Sequence, residues 1–210
     1  MHNIVEWPPT AEIETLKQRA EILMNIRRFF SDRGIMEVET PLLCRHAVTD
    51  PYLQSFSTTY HHELFYLQTS PEYAMKRLLA AGSGSIYQMC KAFREDELGR
   101  YHNPEFTMLE WYHLGYTHLE LMSEVDHLLQ TILGCPSADK ITYQALFLKY
   151  LDLDPLTAEM ATLINSCAHY QVSLPERVRL EKDVLLQCLM TDIIEPQIGQ
   201  DTPIMVYDYP

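Results

Sequence analysis

Residues 93–112 read Phe93-Arg94-Glu95-Asp96-Glu97-Leu98-Gly99-Arg100-Tyr101-His102-Asn103-Pro104-Glu105-Phe106-Thr107-Met108-Leu109-Glu110-Trp111-Tyr112. Successive residues of a strand point to opposite faces, so the alternation from Glu105 to Tyr112 predicts a strand. One face would carry Phe106, Met108, Glu110 and Tyr112, the other Glu105, Thr107, Leu109 and Trp111. Ser85 to Phe93 also alternates, and 95–103 is polar and loop-like. Together they predict a β-hairpin with a long, charged tip.

Upstream, Ile13, Leu16, Leu23, Ile26 and Phe30 form a helical stripe within Ala11–Gly34, closed by the glycine. Met36 to Thr40 reads as a short strand stopped by Pro41, which cannot donate to a ladder. Residues 42–51 read as a loop, Leu53–Tyr60 and Leu64–Gln68 as strands with an exposed turn at His61-His62-Glu63, and Ser70-Pro71-Glu72 as the start of a helix ending near Gly82. Downstream, Thr117 and Glu120 form a capping box before Leu119, Met122, Val125, Leu129 and Ile132, and Gly134 closes that helix. Helices are predicted over 143–151, 157–169 and 179–193, and a last strand over Pro203–Tyr209. A strand at the very end of a chain would leave an unpaired edge, so the sequence is expected to be C-terminally incomplete.

Composition narrows the function. The 210 residues are 47% hydrophobic, enough for a true core. Sixteen Lys and Arg against 29 Asp and Glu leave a net charge of −13, which disfavours a polyanion held by many phosphate contacts. Eleven of those cations lie in the first hundred residues and none between 101 and 139, so an anion site is expected early in the chain. Neither a dinucleotide fingerprint nor a Walker phosphate loop is present, since the pair Gly82 and Gly84 is followed at position 87 by Tyr87. The five cysteines are odd in number and never form Cys-x-x-Cys, so they read as reduced thiols. With no cationic start before an apolar run and no apolar stretch of bilayer length, a soluble, cytoplasmic protein is expected. The nine histidines include no His-Glu-x-x-His, and no metal site is expected within the chain.

Glu110 would sit among aromatic and sulfur side chains, while Arg94, Arg100 and His102 lie at the base and tip of the hairpin. A carboxylate in such a wall attracts a cationic ligand. An ammonium roughly 4 Å away at an effective dielectric near 20 gains about 4 kcal/mol before its desolvation cost. Two arginines and a histidine beside an aromatic platform suit a triphosphate and a purine. By spacing alone the same residues also fit a solvated tip, ordinary core aromatics at Phe106 and Tyr112, an Arg94 to Glu110 pair across the hairpin, and a Glu72 placed only to favour a helix dipole.

The string from Phe93 to Tyr112 resembles motif 2 of the class II aminoacyl-tRNA synthetases, lysyl branch. Arg33-Gly34 through Val38 and Pro41, after the long helix, looks like motif 1. Leu67-Gln68-Thr69-Ser70-Pro71-Glu72 with Lys76-Arg77-Leu78 resembles the segment bearing an amino-acid-binding glutamate. Within the branch the chain is most similar to the ligases that attach (R)-β-lysine to elongation factor P. Motif 1 begins almost at once, so the anticodon-binding barrel of lysyl-tRNA synthetase is expected to be missing. The tip Glu97-Leu98-Gly99-Arg100-Tyr101-His102-Asn103-Pro104-Glu105-Phe106 has the ligase form, and the acidic charge suits a chain that need not hold tRNA.

The resemblance implies an α/β (α+β) fold with an antiparallel sheet flanked by helices. It spans residues 1–210 as one catalytic domain, with motif 1 at about 11–41, motif 2 at about 93–112 and a helical insertion at about 117–195. Motif 3 would follow the last residue, so the chain is expected to stop before it. The implied activity is adenylate formation from Mg²⁺-ATP and (R)-β-lysine or lysine, then transfer to a lysine of elongation factor P by a homodimer. A lysyl-tRNA synthetase catalytic fragment and a non-catalytic dimerising remnant are the alternatives. Arg94 matches the arginine binding the α-phosphate and the substrate carboxylate. Glu95, Asp96 and Asn103 match nucleotide contacts, Phe106 the ring under adenine, and Arg100 and His102 groups toward the outer phosphates. Ser70, Pro71 and Glu72 match the segment for one substrate amine, and Glu110 with Tyr112 the pair for the other. At position 96 the family usually has glutamate, one methylene longer than Asp96.

Overall fold

Helix α1, Ile13–Ser31, uses its apolar stripe unevenly: Phe29 and Phe30 are buried, whereas Ile13, Leu16, Ile22 and Met24 are exposed. Gly34, at φ 68°, reverses the chain, and the Ile35 N–H closes onto the Phe30 carbonyl at 3.0 Å, a C-terminal cap that favours glycine. This is a computed structural model describing residues 8–95, 99–174 and 181–210. The chain divides into two compact units, Met1–Leu121 and Met122–Pro210.

In the first unit β1 (Met36–Glu37) leads to β2 (Leu43–Cys44), a short strand inside the stretch expected to be loop. β3 (Ser57–Tyr60) and β4 (Glu63–Leu67) pair antiparallel around His61 and His62, both at positive φ (49° and 67°), which matches the tight hairpin turn whose twist suits flanking strands. β2 joins the other side of β4, giving the order β2-β4-β3. Helix α2 (Glu72–Ala80) follows, with Pro71 rather than Ser70 as its N-cap; the Ser70 hydroxyl accepts from the Glu72 N–H at 3.1 Å.

β5 (Ile86–Phe93) and β6 (Glu105–Tyr112) form the predicted hairpin in full antiparallel register, from Ile86 opposite Tyr112 to Phe93 opposite Glu105. β1 adds parallel to β5, so this sheet, β1-β5-β6, is mixed rather than wholly antiparallel. Chain direction explains it: β1 and β5 are separated by a long excursion, and only adjacent strands joined by a short loop must run antiparallel. Phe30 stacks on Tyr87 at 4.4 Å between ring centroids and meets Trp111 at 5.4 Å, so α1 covers the face bearing Tyr87 and Trp111. The Glu110 face points the other way.

Helix α3 (His118–Leu133) opens on the predicted capping box: the Thr117 N–H donates to Glu120 Oε2 at 2.7 Å and the Glu120 N–H to Thr117 Oγ1 at 3.4 Å. In the second unit β7 (Asp139–Thr142) precedes α4 (Tyr143–Leu151), α5 (Met160–His169), α6 (Lys182–Leu189), a π-helical turn at Met190–Ile194 and β8 (Ile204–Tyr207). β7 and β8 pair in parallel, so the last strand has a partner that the sequence reading did not foresee. Leu146, Phe147, Leu163, Leu185, Leu189 and Ile194 are fully buried and form the core of this unit. α5 begins at Met160 rather than at 157 because the preceding residues turn on Asp154, whose carboxylate accepts the Leu156 N–H at 3.0 Å. Of the helix predicted over 179–193, positions 179 and 180 lie outside the described residues, Lys182–Leu189 is α-helical as predicted, and the end becomes a π-helical turn from Met190.

Candidate active site

The floor of the site is the hairpin. Directly opposed residues of an antiparallel pair share a face, so Phe106, Met108, Glu110 and Tyr112 lie beside Ala92, Cys90, Gln88 and Ile86. The half-buried Glu110 carboxylate is held at both oxygens: Ser70 Oγ donates to Oε2 at 2.6 Å and Tyr112 Oη to Oε1 at 2.7 Å. Charge-assisted bonds this short orient the group firmly. Burial, then the bond to Glu110, then the charges of Glu110 and Glu72 push the Tyr112 phenol well above its ordinary range, so it stays a donor at neutral pH.

Ser70 is delivered by a segment clamped to the end of β5. The Phe93 N–H donates to the Gln68 carbonyl at 2.9 Å, and Gln68 Nε2 donates to the Lys91 carbonyl at 2.9 Å. Gln68 and Thr69 are buried and Pro71 is fully buried, which anchors the start of α2. Because Ser70 Oγ also accepts the Glu72 N–H, one hydroxyl links the Glu110 carboxylate to the backbone of Glu72. The Glu72 carboxylate is paired with Lys76 Nζ at 2.5 Å, one turn further along α2. A hollow beside Glu72 is lined by Cys44, His46, Ser55, Ser70 and Tyr73.

At the other end of the hairpin Arg94 is fixed by its backbone, whose N–H donates to the Pro104 carbonyl at 2.9 Å. Its guanidinium carbon lies 5.3 Å from the Phe106 ring centroid, within cation–π range, and its Nε reaches the Thr69 carbonyl at 3.4 Å. Glu95 is exposed and its N–H donates to the Gln54 carbonyl at 3.1 Å. The tip closes through paired backbone bonds between Gly99 and His102, at 3.1 and 3.2 Å, leaving Arg100, His102 and Asn103 exposed. The Arg100 guanidinium carbon stands 5.0 Å from the Tyr101 ring centroid. Asp96 lies outside the described residues.

Of the predicted residues, Ser70 and Tyr112 bond the Glu110 carboxylate and Pro71 and Glu72 follow Ser70 in the chain, with the Glu72 backbone tied to the same hydroxyl; Arg94 and Phe106 meet at the hairpin base, Arg100, His102 and Asn103 are exposed at the tip, and Glu95 is exposed and joins none of these groups. Gln88 was missed. It is 1% exposed, stands opposite Glu110 and accepts from Thr40 Oγ1 at 3.0 Å, while its buried Nε2 makes no hydrogen bond of good geometry among the described residues. The signal was present as a lone amide in the apolar run Ile86-Tyr87-Gln88-Met89-Cys90.

This constellation lies inside a recognised sequence family. The family model for class II tRNA synthetases (D, K and N) matches residues 4–210. The chain belongs to this family. It is 48% identical over 216 residues to the elongation factor P (R)-β-lysine ligase of Edwardsiella ictaluri (strain 93-146), covering 100% of this chain and 66% of that protein. It is also 48% identical over 210 residues to the ligase of the same name from Pasteurella multocida (strain Pm70), covering 97% of this chain and 64% of that protein. The chain thus spans about two thirds of the length of these curated relatives.

The α/β architecture, with its hairpin floor and flanking helices, is accordingly that of a class II synthetase-like chain. In this class II chain a fixed carboxylate with a permanent phenol donor offers an anionic receptor for an ammonium, and the ring and guanidinium offer a stacking surface beside a cation. Among the described residues no cluster of three or more His, Cys, Asp or Glu is placed to hold a metal ion, and no helix is long and apolar enough to cross a membrane.

Proposed function

We propose that this chain activates (R)-β-lysine or lysine with ATP and passes the acyl group to a lysine of elongation factor P. One arrangement carries the reading: a carboxylate held between Ser70 and Tyr112, with the backbone N–H of Glu72 bonded to the same serine, on the hairpin that also bears Arg94 over Phe106. Two acids suit a substrate with two ammonium groups, and the names of the relatives describe that substrate and acceptor.

In the first step a carboxylate oxygen of the amino acid attacks the α-phosphorus of ATP. The new P–O bond forms as the bond to the β-phosphate breaks, and pyrophosphate leaves. Both reactants are anionic, so Arg94 neutralises charge where they meet, and its backbone and ring contacts hold it there in advance. Phe106 offers its face to adenine. Glu95, Asp96 and Asn103 contact the nucleotide, and the exposed Arg100 and His102 reach toward the outer phosphates. Glu110 with Tyr112 takes one substrate amine and Glu72, in the Ser70-Pro71-Glu72 segment, the other. In the second step the neutral amine of the target lysine attacks the acyl carbon, the amide C–N bond forms, AMP leaves and the amine gives up its proton. Mg²⁺, when bound with the nucleotide, would supply further charge neutralisation, and among the described residues no cluster of three or more His, Cys, Asp or Glu is placed to hold it.

The reading includes a cytoplasmic homodimer, supported by the exposed apolar residues Ile13, Leu16, Ile22, Met24 and Met36 around α1 and β1. The test is ATP–pyrophosphate exchange with (R)-β-lysine and with lysine, followed by label transfer to elongation factor P. Exchange with either amino acid and a labelled factor are expected. Absence of exchange with both refutes the activity, and label on tRNA instead of the factor reassigns the acceptor.

A further inference from the structure

Lys76 is a charged residue of this region to which the proposed reaction gives no task. Its ammonium is bonded to Glu72 Oε1 at 2.5 Å, although Glu72 is one of the two acids assigned to substrate amines. Glutamate four residues before lysine is a favoured helix-surface pair, and both side chains here are about half exposed, 56% for Lys76 and 46% for Glu72. The position of the pair is what sets it apart. The backbone N–H of Glu72 is bonded to the hydroxyl that also bonds Glu110, and Glu72 lines the hollow that Ser70 shares, so the pair stands beside the residues assigned to the substrate. The ammonium is raised above its ordinary range first by the bond and charge of Glu72, and Glu110 adds to the effect, so both site carboxylates act on this cation. A lysine side chain also presents the same group as the proposed ligand, a primary ammonium on a flexible alkyl chain.

We infer that Lys76 is an internal occupant of the Glu72 ammonium subsite, which the second ammonium of the incoming diamino acid displaces. The inference rests on the proposed lysine-type substrate. Glu110, bonded to the two hydroxyl donors, receives one ammonium directly, whereas Glu72 becomes available only when Lys76 swings away. Lys76 thereby keeps the resting site from presenting two uncompensated acids to any passing cation, and makes the second contact a competition. A binding-competent fraction below one weakens apparent affinity by that fraction.

The test is calorimetric titration of the 210-residue chain with lysine, and with (R)-β-lysine, comparing wild type, Lys76→Met and Lys76→Arg. The methionine variant keeps length and helix propensity without charge, so it should bind about threefold more tightly, because an exposed helical pair stands open in roughly a third of molecules. The arginine variant keeps a cation on Glu72 and should bind no more tightly than wild type. Equal or weaker binding by Lys76→Met, with wild type binding normally, overturns the inference and leaves the site reading standing. No binding of either amino acid by wild type overturns the site reading and the inference with it.

Discussion

Replacing Glu110 by glutamine removes one charge and almost no volume, which isolates the electrostatic role of the site. The carboxylate has a donor on each oxygen, Ser70 at 2.6 Å and Tyr112 at 2.7 Å. A glutamine amide can accept at only one of its two terminal atoms, so one hydroxyl must turn or lose its bond. For a ligand ammonium about 4 Å away, the lost attraction is about 4 kcal/mol at an effective dielectric near 20, less the desolvation that the carboxylate no longer imposes. Hydrogen bonds to charged groups contribute roughly 1.5–3 kcal/mol net, which converts to a loss of roughly 10- to 150-fold in affinity. Calorimetric titration with lysine and the KM for lysine in the exchange assay both read this, while the KM for ATP should move little. Lysine affinity within twofold of wild type in Glu110→Gln would refute the argument that this carboxylate receives the substrate.

Arg94→Ala should slow ATP–pyrophosphate exchange by about 10²–10³, as expected for loss of one preorganised donor to a developing charge, and an unchanged rate would count against its role. Tyr87 donates to Glu37 Oε2 at 3.0 Å, and burial first, then that bond, push its phenol up to about 12. A raised folded-state value means the protonated phenol stabilises fully below its unfolded value of about 10 and loses that contribution as pH climbs toward 12. The Tm gap between wild type and Tyr87→Phe should therefore narrow across that window; a constant gap would remove the linkage. Phe147→Ala empties a fully buried site in the second unit and should cost about 3–5 kcal/mol in urea unfolding of that unit, whereas a loss below about 1 kcal/mol would mean its neighbours refill the space.

Local rules carried the hairpin and the helices because their information is local. Alternation placed Glu105–Tyr112 to the residue, and the Thr117 and Glu120 side chains announced α3 by closing on each other's backbone. What was not legible is pairing across long stretches. β1 is two residues long and meets β5 some fifty positions later, and β7 and β8 are four residues each with most of the second unit between them, so no periodicity could develop in either. The same limit governs the site. Ser70 and Glu110 are 40 residues apart, and a serine before Pro-Glu reads locally as a helix cap. Only the resemblance to a known motif grouped them in advance, and it could not say how they meet. The coordinates add that the serine forgoes the cap position and instead joins two acidic residues through one oxygen, accepting from Glu72 and donating to Glu110. A serine hydroxyl has one donor and two acceptor lone pairs, so loss of the charge on Glu110 would turn the Ser70 proton away from that oxygen while leaving the bond from the Glu72 N–H, and the first turn of α2, in place.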